Sequence, residues 1–327
     1  MFITLAMTLS LFTGCTGGNK PGSAELDTEQ YINTYLTADP TTLDPSRRSD
    51  TYSSSIIVNT LEGLIRMEER DGEYHLSRGD AETWEPNEDG TVWTFRLGDN
   101  KWEDGVPVTA DQYVYSLQRT CAPDTGSPNS NFLAPIKNFE AVNKGQLDVS
   151  QLGVKALDEK TLEITLGEPV PSFLSMIDTT VYYPQRQDKI EEWGEKYGSE
   201  AKYTISNGPF KVANWTHNSS IELVKNDQYW DADSVKLQKV NFAIMSDETT
   251  YYNAFEAGEI DFVSTGKTEW LEKFKARDDS VHNSYTSATI TYAFFNTEDK
   301  LFKNANVRKA FMLGIDREEI NEVCFSG

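Results

Sequence analysis

Cysteine and histidine are scarce in this chain. Its 327 residues include three Cys (Cys15, Cys121, Cys324) and three His (His75, His217, His282). No two cysteines have metal-ligand spacing, and Cys15 closes an N-terminal apolar run, so a disulfide framework is not indicated. The histidines lie far apart, which leaves a zinc site or a His-based triad without obvious parts. Positive charge is also in short supply: 30 Lys and Arg stand against 52 Asp and Glu, for a formal net charge of −22. A chain of that sign repels phosphate backbones, and no nucleic-acid partner is expected. The apolar run at residues 2–14, "FITLAMTLSLFTG", is uncharged but too short to cross a bilayer as a helix. Its length is that of a signal-peptide h-region.

Apolar residues make up 38% of the chain and charged residues 25%, a balance that supports a globular core. The length exceeds one typical domain and points to two or more. There is no internal repeat. Short strand patterns alternate with helical ones, which defines the class as α/β.

Aromatic side chains concentrate in "AETWEPNEDGTVWTFRLGDNKWEDGVPVTADQYVYSLQR" (81–119), which turn signals interrupt repeatedly. Within it "TVWTFRL" alternates, placing Trp93, Phe95 and Leu97 on one inward strand face. Thr109 and Gln112 have the spacing of a capping box for the helix "ADQYVYSLQR", with Ala110, Tyr113, Val114 and Leu117 on its buried face. Trp84, Trp93 and Trp102 are read as core, and Asp104-Gly105 as a turn. Elsewhere a helix is expected over 57–65, ending towards Gly63, and a polar loop over "EERDGEYH". Strands are expected over 160–166, 207–215, 220–226, 239–245, "EIDFVS" (259–264) and "TITYAFFN" (289–296). A short helix should follow Pro171. Asp247 caps a helix that Gly258 ends, "NVRKAFMLGI" is helical, and Asp316 opens a last helix.

Two resemblances follow from these segments. "LFTGC" (11–15) resembles the lipobox of bacterial lipoproteins, which implies lipidation at Cys15 and a membrane anchor ahead of the Gly/Ser/Pro-rich tether "TGGNKPGSAELDTE". Phe12 stands where Leu is usual, and the missing basic n-region suggests an upstream start. The rest resembles the extracellular solute-binding proteins of family 5, the peptide-binding components of ABC importers. The residues that carry this are Ala81, Trp84, Trp93, Phe95, Trp102, Asp104, Gly105, Pro107, Thr109, Ala110, Tyr113 and Tyr115, with Gln112 replacing the usual acidic residue. "TLDP", "LEGL", "GVKALDEKTLEITLGEPVPSF", "SNGPFKVANW", "KNDQYWDAD", "AGEIDF" and "FFNTEDKLFKNANVRKAFMLGIDREEI" follow in the family's order.

The resemblance implies a two-lobed periplasmic-binding-protein-like fold of the class II type with an inserted small α/β domain. Residues 1–27 would be signal and tether, 28–61 and 186–288 the first lobe, 62–185 the inserted domain, and 289–327 the start of a second lobe that lies mostly outside this chain. It also implies a monomer without cofactor that takes a peptide ligand and delivers it to an ABC permease and ATPase complex.

By the same resemblance the candidate cleft residues are Ser49, Asp50, Asn129, Val263, Ser264, Thr265, Gly266, Tyr285 and Tyr292. Asn129 occupies the place after Ser127-Pro128 where well-known oligopeptide binders carry Tyr. Asp39 and Asp44 are read as turn residues. The fold class also serves oligosaccharides, nickel and haem, and a surface sensor without transport shares the same framework. An enzyme built on a carboxylate pair finds only adjacent acids, Glu191/Glu192 and Asp278/Asp279, which read as solvated charge.

Overall fold

The computed structural model describes residues 29–70, 72–283 and 292–325. Cys15 and Tyr285 lie outside the described residues. The chain opens with strand β1 (Tyr31–Leu36) and helix α1 (Thr51–Thr60), then strands β2 (Ile65–Arg70) and β3 (Glu73–Arg78). Next come β4 (Ala81–Pro86), β5 (Val92–Leu97), α2 (Ala110–Cys121), α3 (Phe139–Asn143), β6 (Val154–Asp158), β7 (Thr161–Thr165) and α4 (Phe173–Met176). They are followed by α5 (Gln187–Trp193), β8 (Phe210–Thr216), β9 (Ser220–Lys225), β10 (Lys239–Ile244), α6 (Glu248–Ala257) and α7 (Thr268–Lys275). Helices α8 (Ala305–Gly314) and α9 (Arg317–Phe325) come last.

The strands form three sheets. One is mixed, in the order β1-β10-β9-β8, with β1 and β10 parallel and the other pairs antiparallel. Its first two strands are joined by more than 200 residues of chain, and the Asn241 side chain donates to Asn33 Oδ1 at 2.8 Å across the pair. The second sheet is the hairpin β2–β3. The third is antiparallel, in the order β4-β5-β7-β6, and comes entirely from residues 81–165.

Helix α2 packs on β6 and β7 with Ala110, Tyr113 and Leu117 buried, and Val114 partly so. Gln112 Oε1 accepts from Thr109 N at 3.1 Å, the N3 half of the expected capping box, and also from Trp102 Nε1 at 2.9 Å. Trp102 is fully buried, whereas Trp84 and Trp93 are only partly so. Trp93 leans on Phe95 and Phe173, at ring-centroid distances of 6.5 and 6.0 Å. The inward face of β5 is thus carried by Phe95 and Leu97, with Trp93 at its margin.

Four expectations are corrected. The helix expected over 57–65 is α1, which runs from Thr51 and stops at Thr60. Beyond it the Asn207 side chain takes both backbone groups of Glu62, N to Oδ1 at 3.0 Å and Nδ2 to O at 3.1 Å, and draws the chain out of the helix. Here three backbone segments cross: a Cβ on Gly79 would fall 2.4 Å from Gly63 O, and one on Gly208 2.8 Å from Leu61 N. The expected polar loop "EERDGEYH" lies within the β2–β3 hairpin, whose turn has Gly72 at φ +83°.

"EIDFVS" is not a strand. Asp261 N donates to Asn33 O at 2.8 Å, but the Asp261 carboxylate takes Asn33 N at 2.7 Å, and Ser264 N donates to the Tyr35 hydroxyl at 3.4 Å. Side chains occupy the places of ladder partners, so the segment follows the β1 edge without forming rungs. Residues 292–296 of "TITYAFFN" are also not strand, and 289–291 lie outside the described residues.

Candidate ligand-binding site

One candidate group lies on the loop 37–50 that follows the carboxyl end of β1, and the other runs beside the β1 edge. In α/β sheets, crevices form at such strand ends. The loop is held rigidly. Asp44 is buried and receives Arg119 through both nitrogens, Nη1 to Oδ1 at 2.8 Å and Nη2 to Oδ2 at 2.6 Å. Bidentate pairing of this kind fixes orientation as well as charge. Burial depresses the Arg119 pKa, but Asp44 outweighs it and leaves the guanidinium above its ordinary value. Gln185 donates to Ser46 Oγ at 2.8 Å and Ser116 Oγ at 3.0 Å and accepts from Arg119 at 2.6 Å, tying the loop to α2.

Asp50 closes this loop. Its carboxylate caps α1 through Ser53 N at 2.7 Å and also accepts from Ser53 Oγ at 2.9 Å, Thr41 Oγ1 at 2.5 Å and Thr41 N at 3.3 Å. Burial raises its pKa, and these donors together outweigh that and hold it below the usual carboxylate value. Its oxygens are therefore engaged within the loop. Ser49 is exposed beside it. Asn129 is half-buried, and its Nδ2 donates to Arg48 O at 2.9 Å, which joins the 127–129 turn to the loop. Asp39 is a clamp: it accepts from Trp215 Nε1 at 2.9 Å and pairs with His217 Nδ1 at 2.7 Å.

The second group, Val263, Ser264, Thr265 and Gly266, follows Asp261 along the β1 edge, close to an aromatic cluster. Tyr35 stacks on Tyr251 at 4.4 Å, Tyr251 meets Tyr252 at 4.7 Å, Tyr252 meets Trp270 at 4.6 Å, and Trp270 meets Phe274 at 5.5 Å. Val263 packs against this cluster, and the Tyr252 hydroxyl donates to Thr265 Oγ1 at 2.9 Å. Thr37 Oγ1 donates to the Tyr52 hydroxyl at 2.9 Å, linking the end of β1 to α1. Tyr292 is exposed and pairs with Phe294 at 4.8 Å; no contact in the described residues joins it to either group.

Sequence reasoning missed several residues here. Arg48 is half-buried, and the buried Tyr252 packs with the half-buried Tyr35 and Trp270 next to residues 263–265. The signal that would have found Arg48 is a basic pair next to Ser49-Asp50 in an acid-rich chain. Also unforeseen is the buried network at the backbone crossing. Asp80 accepts from Asn100 Nδ2 at 2.8 Å, Tyr113 OH at 2.7 Å and Asn207 Nδ2 at 2.9 Å. The nearby Glu62 accepts from Tyr229 OH at 2.5 Å. Burial pushes the Asp80 carboxyl well above its ordinary value, and the Glu62 charge adds to this. Among the described residues no group of three or more His, Cys, Asp and Glu is placed to hold a metal ion, and no helix is long and apolar enough to cross a membrane.

Comparison with known proteins places the chain in a class of binding proteins. The family model described as "Bacterial extracellular solute-binding proteins, family 5 Middle" matches residues 77–327. The oligopeptide-binding protein OppA of Bacillus subtilis (strain 168) is 35% identical over 98% of this chain and 58% of its own length. "Probable deoxycholate-binding periplasmic protein YgiS" of Escherichia coli (strain K12) is 33% identical over 92% of this chain and 56% of its own. The crystal structure of Haemophilus influenzae OppA in complex with RPPGFSPFR superposes with a TM-score of 0.83 at 29% identity, covering 91% of this chain and 58% of that one. The chain belongs to family 5 of the bacterial extracellular solute-binding proteins. It spans a little under three-fifths of the length of the curated relatives it matches.

Proposed function

We propose that this chain is the greater part of the substrate-binding component of an ABC importer, and that it captures oligopeptides outside the membrane for a permease and its ATPase. The observation that supports it most is the likeness, over 91% of the chain, to a binding protein solved with the peptide RPPGFSPFR. In this reading residues 28–61 and 186–288 form one lobe, 62–185 an inserted domain and 289–327 the first elements of a second lobe. The peptide lies near the carboxyl end of β1, between the loop 48–50 with Asn129 and the segment 263–266. Main-chain hydrogen bonds and hydrated pockets hold it, and lobe closure presents it to the permease. The protein binds without turnover, acts as a monomer and is held at the membrane by lipid on Cys15.

A second reading has its own support, because a 33% identical relative bears the name of a deoxycholate binder. Calorimetric titration of the chain with tri- to pentapeptides, deoxycholate and oligosaccharides separates the two. Heat with peptides alone is expected; saturable binding of deoxycholate or a glycan, with none for peptides, would overturn the peptide reading.

A further inference from the structure

Most arginines that touch the loop 43–50 or its supports are spent on carboxylates. Arg47 pairs with Glu195 at 3.0 Å, Arg119 with Asp44 at 2.6 Å, and Arg186 with Asp104 at 3.0 Å and Asp188 at 2.7 Å. Arg48 differs. Its Nε donates to Thr180 Oγ1 at 2.5 Å, and its Nη1 and Nη2 have no partner among the described residues. Among the described residues no carboxylate comes within ion-pair distance, although the chain carries 52 acidic residues. Asp50 lies close enough to favour the charge, but its oxygens are held by Thr41 and Ser53. The side chain is half-buried beside Thr180 and Tyr183, and burial pulls its pKa below the ordinary arginine value. A partly desolvated guanidinium without an anion is costly, and its two terminal nitrogens form the planar fork that fits a carboxylate. The fork is also preorganised: Asn129 holds the Arg48 carbonyl, Thr180 holds Nε, and the Asp44–Arg119 pair holds the loop.

We propose that the Arg48 fork, steadied by Asn129 and Thr180, receives a carboxylate of the bound peptide and so favours acidic or free-C-terminal ligands. This rests on the peptide-binding reading above. The carboxylate has two sources in a peptide, an acidic side chain or the C-terminus.

The test is calorimetric titration of the whole chain and of Arg48→Gln with three probes: pentaalanine, pentaalanine amide, and Ala-Ala-Glu-Ala-Ala amide. At least one carboxylate-bearing probe should bind the unaltered chain about tenfold more tightly than pentaalanine amide, a difference of about 1.4 kcal/mol. That advantage should vanish in Arg48→Gln, whose fold is checked separately by circular dichroism and by a urea unfolding midpoint close to that of the unaltered chain. Whichever probe gains identifies the source. Equal affinities for all three, or an advantage that survives the substitution, overturns the role of Arg48 and leaves peptide binding standing. Binding of none of the three by the unaltered chain overturns both. Should Arg48→Gln fail to fold, Arg48→Lys decides: it keeps the charge and loses the fork, so the advantage should shrink, and an undiminished advantage refutes the fork.

Discussion

Glu103 carries a pH dependence that can be isolated. It sits between the turn 104–107 and Ser206, to whose carbonyl its own N–H donates at 2.8 Å. Burial pushes its carboxyl up from 4.5 to about 7; Lys211 opposes the rise and Asp104 adds to it. The sign follows from the raised value. Below pH 4.5 both folded and unfolded chains hold the proton, and Glu103 has no effect. Above that the unfolded chain ionises first, so stability falls as pH rises towards 7 and stays lowered beyond it. The full displacement is worth about 3 kcal/mol, at about 1.4 kcal/mol per pH unit. About 1.4 kcal/mol of this is already present at pH 5.5, so about 2 kcal/mol remains between pH 5.5 and 8.5. Some solvent reaches the side chain, and screening reduces the measurable part to about 1 kcal/mol.

Glu103→Gln removes the ionisation with little change of shape. Urea unfolding of both proteins at pH 5.5, 7 and 8.5 avoids the region of the pI near 4.5. The advantage of the variant should grow by about 1 kcal/mol from the lowest to the highest pH. The other titrating groups are shared and cancel in the difference. A difference that stays constant with pH, or that favours the unaltered chain more at pH 8.5 than at 5.5, would refute the reasoning.

Three further outcomes are expected. Trp102→Ala should cost about 3–5 kcal/mol in denaturant unfolding, because the ring is fully buried and Nε1 is bonded, and Trp93→Ala should cost clearly less from its half-buried place; the reverse order would contradict the packing described. His217 is raised above 6.5, chiefly by its bond to Asp39, so its stabilising effect is present below pH 6.5 and lost as pH rises through the raised value. His217→Gln should therefore lower the melting temperature at pH 6 and leave it nearly unchanged at pH 9, and equal losses at both would count against the pair. Cys15→Ser, expressed with a functional export signal, should move the protein from the membrane fraction to the soluble one; unchanged retention would exclude the lipid anchor.

What the sequence made legible was the part of the fold that repeats with a period or ends at a cap. The alternation of Val92–Leu97, the spacing of Thr109 and Gln112, and Asp247 and Asp316 ahead of their helices all act within a few residues, and each appears in the structure as a strand, a capped helix or both. Pairings across the whole chain leave no such local mark. Nothing near Tyr31 announces that β1 will lie parallel to β10, or that Asn207 will unwind the chain at Glu62. "EIDFVS" has a strand's composition, yet Asp261 turns its carboxylate onto the amide a ladder would use.

The candidate site follows the same division. Ser49, Asp50 and Asn129 are named separately, as what the family resemblance implies, and the structure brings Asn129 to the loop that carries the other two. What the sequence could not assign is how each is occupied. Asp50, an attractive ligand group on paper, has its oxygens committed to Thr41 and Ser53, while Nη1 and Nη2 of the neighbouring Arg48 have no partner among the described residues. Availability is a property of the hydrogen-bond ledger and not of residue type. In a chain with so large an excess of acid, a half-buried cation that no carboxylate among the described residues reaches is the uncommon feature. On the proposal made above, the Arg48 fork would select for negative charge in the ligand, although the chain as a whole carries a net charge of −22.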